Sequence, residues 1–215
     1  MSLSITNLSI LTRNGSLLLP SCSFTIEKGD VLSVMGPSGC GKSTLLSAIA
    51  GHLANDFQFS GDIHVNDNRI SALASHERKV GILFQEDLLF PHLCIWENLA
   101  FALPDKIKGS QRKHEAMNAL SSVQLEALAN VFPDQVSGGQ RARISLVRML
   151  LAKPDVALLD EPFSKLDQTL RIQFRDWVFE QLAKAHIPTL LVTHDPDDIP
   201  TNSQTMIWPT ELSHA

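Results

Sequence analysis

Four short apolar runs punctuate the chain: Val31 to Met35, Val80 to Phe84, Val156 to Leu159 and Thr189 to Val192. Their length and largely apolar character suit buried strands. Segments with helical periodicity separate them, and that alternation predicts an α/β fold with a mainly parallel sheet. The N-terminal third is textured differently. Asn14-Gly15 is a hairpin-type turn, and Gly61-Asp62-Ile63-His64-Val65-Asn66-Asp67-Asn68 alternates polar and apolar positions before a turn. An antiparallel layer packed on the parallel one is expected there.

The stretch from Gln85 to Asp160 far exceeds the dozen or so residues that suffice to join two parallel strands. It carries several helical patterns. Residues 88–152 are therefore expected to form a helical lobe, inserted between the two parts, 1–87 and 153–215, of a core α/β lobe. From about Ile199 the chain contains Pro, Ser and Thr and reads as a short tail.

Composition sets limits on this picture. The chain has 215 residues, 44% of them hydrophobic, enough for one well-buried domain. A net charge of −5 offers no bulk electrostatic reason to bind nucleic acid. The three cysteines, Cys22, Cys40 and Cys94, are odd in number and lack CxxC spacing, which suits a reducing cytosol rather than a disulfide or zinc framework. Met1-Ser2-Leu3-Ser4 is not a basic region leading into a long apolar run, so no signal peptide is expected. No stretch approaches the roughly 18 consecutive apolar residues of a membrane span. Work at a membrane would need another chain to do the crossing.

Each apolar run leads into polar chemistry. Met35 is followed by Gly36-Pro37-Ser38-Gly39-Cys40-Gly41-Lys42-Ser43-Thr44, Phe84 by Gln85, Leu159 by Asp160 and Glu161, and Val192-Thr193 by His194. Ligands of open α/β sheets bind beyond the carboxyl ends of the strands, so all four groups fall where a ligand should lie. Gly36 to Ser43 fits the pattern G-x-x-x-x-G-K-S between a strand and a helical segment. Its glycines let the backbone curl so that successive N–H groups face phosphate oxygens, and the helix N-terminus adds positive potential. Lys42 can reach the β- and γ-phosphates, and the Ser43 hydroxyl can ligate Mg2+. A Gly-rich turn that only links strand to helix is the bland alternative. Cys40 within it is a small side chain whose accessibility could confer sensitivity to thiol reagents.

Asp160 is placed to hold the hydration shell of magnesium, and Glu161 to orient or deprotonate an attacking water. Alone, such a pair is as easily a strand ended by solvated acids; the glycine loop changes that balance. Further along, Val136-Ser137-Gly138-Gly139-Gln140 precedes a helical face at Ile144, Val147, Leu150 and Leu151. Ser137 and Gln140 have capping-box spacing, and a glycine pair beside a serine makes a second helix start suited to an anion.

In this order and spacing the sequence resembles an ABC-type ATPase over residues 3 to about 195. Gly36 to Thr44 is similar to its Walker A segment, Gln85 to the Q-loop and Val136 to Gln140 to the LSGGQ signature, with Val for the usual Leu. Val156 to Glu161 is similar to Walker B with the catalytic glutamate, and His194 to the switch histidine. Ser164-Lys165-Leu166-Asp167 resembles the D-loop, with Lys where Ala is common. The resemblance implies a P-loop NTPase that binds MgATP and hydrolyses it with Glu161, His194, Lys42 and Gln85. Ser43, Gln85 and Asp160 would serve the metal.

It also implies a head-to-tail homodimer. Each ATP would lie between the Walker A loop of one subunit and Ser137, Gly138, Gly139 and Gln140 of the other, with Asp167 coupling the two sites. The implied setting is the cytoplasmic, inner face of a bacterial membrane, docked on permease subunits of an importer and served by a solute-binding protein. The region Gln85 to Leu93 with Glu97-Asn98-Leu99 is similar to the part of importer subunits that receives a coupling helix; Leu89, Phe90 and Leu93 are equally suited to the core of the helical lobe. The rivals are a soluble ABC ATPase of DNA repair or translation and a catalytically weak nucleotide-binding module. One departure from the family stands out. The aromatic that usually stacks on adenine is missing from Ile10-Leu11-Thr12-Arg13-Asn14, which leaves Leu11 or Arg13 to cover the base.

Overall fold

In β1 (Leu3–Thr12) the buried positions are Leu3 and Ile5, then Leu8 and Ile10. The switch from odd to even numbers needs one extra residue. A bulge supplies it between Ile5 and Leu8, with Asn7 at φ 50°. Across from it, in β4 (Phe57–Val65), stands Gly61, where a Cβ would lie 2.4 Å from the Asn7 carbonyl oxygen. Only glycine fits opposite that bulge.

The computed structural model describes residues 1–37, 39–164, 166, 168–201 and 203–208. They fall into two units. Met1–Ile82, Asp155–Glu161 and Phe179–Ala215 form the first, and Leu83–Pro154 with Pro162–Val178 the second.

The first unit holds both sheets. β1 pairs antiparallel with β2 (Leu17–Ile26) and with β4, and β5 (Asn68–Arg69) extends the sheet to the order β2-β1-β4-β5. The β1–β2 turn closes through the Thr12 N–H donating to the Ser16 carbonyl at 2.8 Å, with Gly15 at φ 83°. The expected antiparallel layer is thus present. The second sheet has the order β6-β7-β8-β3-β9, made of β3 (Val31–Met35), β6 (Val80–Leu83), β7 (Val156–Asp160), β8 (Thr189–Thr193) and β9 (Gln204–Ile207). β3 pairs parallel with β8 and β9, and β7 parallel with β8. One continuous core joins Ile5, Leu8 and Ile10 of β1, Leu45 and Ile49 of α1 (Lys42–Ala50), and Leu158, Leu190 and Val192 of the parallel strands.

Two sequence expectations change. β6 stops at Leu83, and Phe84 is exposed. The supposed tail from Ile199 instead contains β9, followed by Trp208 at only 2% exposure. The pairing offered by β3 decides this, because a strand's fit to its neighbours outweighs its own weak propensity.

The second unit is helical: α2 (Ile95–Phe101), α3 (Ser110–Ser122), α4 (Gly138–Leu151) and most of α5 (Gln168–Lys184). Its core gathers Ile95, Leu99, Ala116, Leu120, Ile144 and Val147. The fully buried Asn98 amide staples the preceding loop: Oδ1 accepts from the Phe90 N–H at 2.8 Å, and Nδ2 donates to the Leu93 carbonyl at 2.9 Å. Among the described residues no helix is long and apolar enough to cross a membrane.

Candidate active site

β3 hands over to α1 through residues 36–41. Gly39 and Gly41 lie at φ 83° and 90°, a region glycine enters without steric cost. Gly41 caps α1, and the Leu45 N–H donates to its carbonyl at 3.0 Å. Lys42 is 4% exposed, and its ammonium donates to the Gly36 and Pro37 carbonyls at 2.8 and 2.7 Å. The charge therefore sits within the curve of its own loop. A phosphate oxygen arriving there offers a stronger, charge-assisted acceptor than either carbonyl.

The next residue, Ser43, faces the end of β7: its hydroxyl donates to Asp160 Oδ1 at 3.0 Å. Burial pushes the Asp160 carboxyl up; the Ser43 hydrogen bond pulls it down, neighbouring Glu161 raises it again, and Lys42 lowers it. A carboxylate disfavoured by desolvation, beside a hydroxyl oxygen, is a donor pair that a hard cation such as Mg2+ fits. Among the described residues no cluster of three or more His, Cys, Asp or Glu could hold a metal. The remaining ligands would then come from water and substrate phosphates, which is how Mg2+ is commonly held.

Glu161 follows at φ 45°, left-handed backbone that a non-glycine residue adopts only where its surroundings enforce it. Here the Glu161 N–H donates to the Val192 carbonyl at 2.9 Å, fastening the end of β7 to β8. The turn brings Glu161 Oε1 to 3.2 Å from His194 Nδ1. β8 in turn aims His194 through two residues that sequence reasoning overlooked. The buried Thr193 hydroxyl donates to Asp198 Oδ2 at 2.6 Å and accepts from the Asp195 N–H at 3.1 Å. Three acids, Asp195, Asp197 and Asp198, crowd that segment, and burial alone distinguishes Asp198. In the first unit, then, Ser43 meets Asp160 and Glu161 meets His194, with Lys42 next to Ser43 and bonded to the adjoining loop.

The second unit carries Gln85 and the glycine pair. Gln85 is exposed. Ser137 caps α4 reciprocally: its hydroxyl accepts from the Gln140 N–H at 3.3 Å, and Gln140 Oε1 accepts from the Ser137 N–H at 3.1 Å. A Cβ at Gly139 would come within 2.4 Å of Leu170 Cδ2, so α5 packs where a side chain would project. The segment after Gln85 is tied to α4. The Arg141 guanidinium pairs with Asp87 at 2.7 Å, and the Ser145 hydroxyl and Arg148 donate to the Asp87 carbonyl. Gln85, Glu86, Gly138, Arg141 and Phe174 border a cavity of about 460 Å3 in this unit. Leu89 belongs to the helical core, while Leu88 and Phe101 are exposed. Ser38, Lys165 and Asp167 lie outside the described residues. Near the absent aromatic, Ile10 is buried, Leu11 half-buried and Arg13 exposed, while Leu18 lies against Gly41.

Residues 19–164 match a protein family described as ABC transporter. An uncharacterized ABC transporter ATP-binding protein YnjD of Escherichia coli (strain K12) is 47% identical over 191 residues, 89% of this chain and 88% of that protein. The sulfate/thiosulfate import ATP-binding protein CysA of Vibrio vulnificus (strain CMCP6) is 41% identical over 186 residues, 84% of this chain but only 53% of that protein. The thiamine import ATP-binding protein ThiQ of Photobacterium profundum is 40% identical over 181 residues, 83% of this chain and 74% of that protein.

Proposed function

The chain belongs to the ABC transporter family as an ATP-binding ATPase subunit, and from that premise we propose that it powers solute import by hydrolysing MgATP at the strand ends of its first unit. The observation that carries this reading is the convergence of Ser43 on Asp160 and of His194 on Glu161, both beside the Lys42 loop. Gly36 to Thr44 would wrap the phosphates with backbone N–H groups, and Lys42 would neutralise charge on the β- and γ-oxygens. Ser43 and Asp160, with Gln85, would hold Mg2+, which when bound offsets the negative charge of the phosphates. Glu161 orients the attacking water and accepts its proton, and His194, within hydrogen-bonding range of Glu161, holds that carboxylate in place and faces the γ-phosphate. An intact Lys42, Glu161 and His194 favour an active ATPase over a catalytically weak module.

Residues 1–87 with 153–215, and the helical 88–152, would act as two lobes of one ATPase domain. We place the working unit in a head-to-tail homodimer, where Ser137 to Gln140 of one subunit cover the nucleotide on the other and Asp167 couples the two sites. Its position would be peripheral, on the inner face of the membrane, against permease subunits fed by a solute-binding protein. The relatives' names carry different cargoes, sulfate or thiosulfate and thiamine, at 41% and 40% identity. That relatives about equally similar to this chain are named for different cargoes supports the reading that partner subunits choose the solute.

The test is Glu161→Gln, measured as steady-state phosphate release and as molecular mass on a sizing column with ATP. Turnover is expected to fall by about 10²-fold or more, the range of general-base catalysis. The variant should also elute as a dimer only when ATP is present. Normal turnover in this variant would remove Glu161 from its role.

A further inference from the structure

The residue after β9 touches the end of β3 at one point and the phosphate loop at two. β9 pairs with β3 so that Ile207 lies opposite Met35, which places Trp208 beside Gly36. The Trp208 backbone N–H donates to the Met35 carbonyl at 2.6 Å, carrying the ladder one step past the strand. Its indole Nε1–H donates to the Cys40 carbonyl at 2.7 Å. A Cβ at Gly36 would stand 2.8 Å from Trp208 Cβ, so the loop's first residue has no room for a side chain. Trp208 is 2% exposed and is part of the core of the first unit. One residue from the far end of the chain thus bonds the backbone at both ends of the curve, Met35 and Cys40.

Direction matters more than proximity here. In a trans peptide the C=O and the following N–H point opposite ways. The indole holds the Cys40 carbonyl on the side of Trp208, so the Gly41 N–H of the same peptide points away from Trp208. Backbone N–H groups aimed in that manner are what an anion-binding loop presents to phosphate. We propose that Trp208 is a positioning residue for the phosphate loop, fixing the Cys40–Gly41 peptide in its phosphate-binding orientation. The proposal rests on the reading of Gly36 to Thr44 as the nucleotide loop.

Trp208→Phe keeps an aromatic ring in the core and removes only the N–H donor. The loss of one hydrogen bond predicts a weakening of about two- to ten-fold. It should appear as a higher KM for ATP and a higher nucleotide dissociation constant, with kcat changing less than KM. A tryptophan that merely fills space predicts an unchanged KM in Trp208→Phe, and that result would overturn the proposal. A second measurement does not depend on this variant folding. The chain has three tryptophans, so Trp96→Phe with Trp177→Phe leaves Trp208 as the sole emitter. Its fluorescence should shift saturably on titration with MgATP, with a midpoint at the dissociation constant measured by calorimetry; emission blind to bound nucleotide would also sink the idea. If the wild-type protein itself binds no ATP, the nucleotide-loop reading fails rather than the role of Trp208.

Discussion

Arg78 sends a cation into the body of the first unit at 5% exposure. Its guanidinium donates to the Ala48 and Ile49 carbonyls, at the C-terminal end of α1, and to the Ser71 and Leu73 carbonyls. The helix end is electron-rich, so the charge is well placed there. Arg78→Ala is expected to lose about 3 kcal/mol by stranding these acceptors, which lowers the melting midpoint by roughly 6–12 °C at 2–4 °C per kcal/mol. Asp160 works in the opposite sense. Burial raises its carboxyl, so the folded state pays to ionise it, and the stability it withholds grows as pH rises through its raised value. Asp160→Asn should therefore melt higher than wild type at neutral pH without metal, yet lose Mg2+-dependent hydrolysis; calorimetry beside a phosphate-release assay checks both halves. Arg13 is exposed, and the resemblance to ABC ATPases implies an adenine-stacking aromatic in its segment, which this chain lacks. A base–aromatic stack is worth about 1–3 kcal/mol. Weak base discrimination is expected without one, seen as measurable GTP turnover; a large preference for ATP in that assay would refute it.

The start of α4 shows how an element constrains its own sequence. Gly139 lies in its first turn, with Leu170 of α5 occupying the space a Cβ would need. Gly139→Ala should destabilise the chain by about 1–3 kcal/mol through overpacking. Leu170→Ala in the same chain should recover part of that, giving a non-additive cycle of about 1 kcal/mol in denaturant titrations. The Ser137–Gln140 cap at this helix start was legible from spacing alone, because a capping box is a local pattern. The four apolar runs became β3, β6, β7 and β8 for a related reason: strands inside a parallel sheet are covered on both faces and so are mostly apolar, as in β3, β7 and β8, while β6 at the edge is only partly buried. β9 was not legible. Gln204-Thr205-Met206-Ile207 has three exposed positions of its four and holds only through the edge of β3. The bulge at Asn7 was equally hidden, since its signal is a one-residue shift in alternation resolved only by the partner strand.

For the whole molecule, binding should appear as stability. A ligand at about 100 times its dissociation constant adds about 2.7 kcal/mol, so MgATP should raise the melting midpoint of the Glu161→Gln protein by roughly 5–11 °C. Chelating the divalent ion should shrink that shift, since Asp160 and Ser43 would then lack the cation they fit; an equal shift with and without metal would contradict the assignment of this pair. The sequence by itself determined the family of this protein and the order of its candidate site groups along the chain. Phosphate loop, acid pair, capped glycine helix and histidine each depend on neighbours a few residues away, and local patterns survive without a fold. Tertiary structure decided what holds those groups in register. Glu161 meets His194 because β7 is fastened to β8, Thr193 is locked by a buried Asp198, and the loop is gripped by Trp208 from the far end of the chain. The Thr193–Asp198 bond is local, but Glu161 with His194 and Trp208 with Cys40 are far apart in sequence, and only the pairing of β3, β7, β8 and β9 brings them within bonding distance.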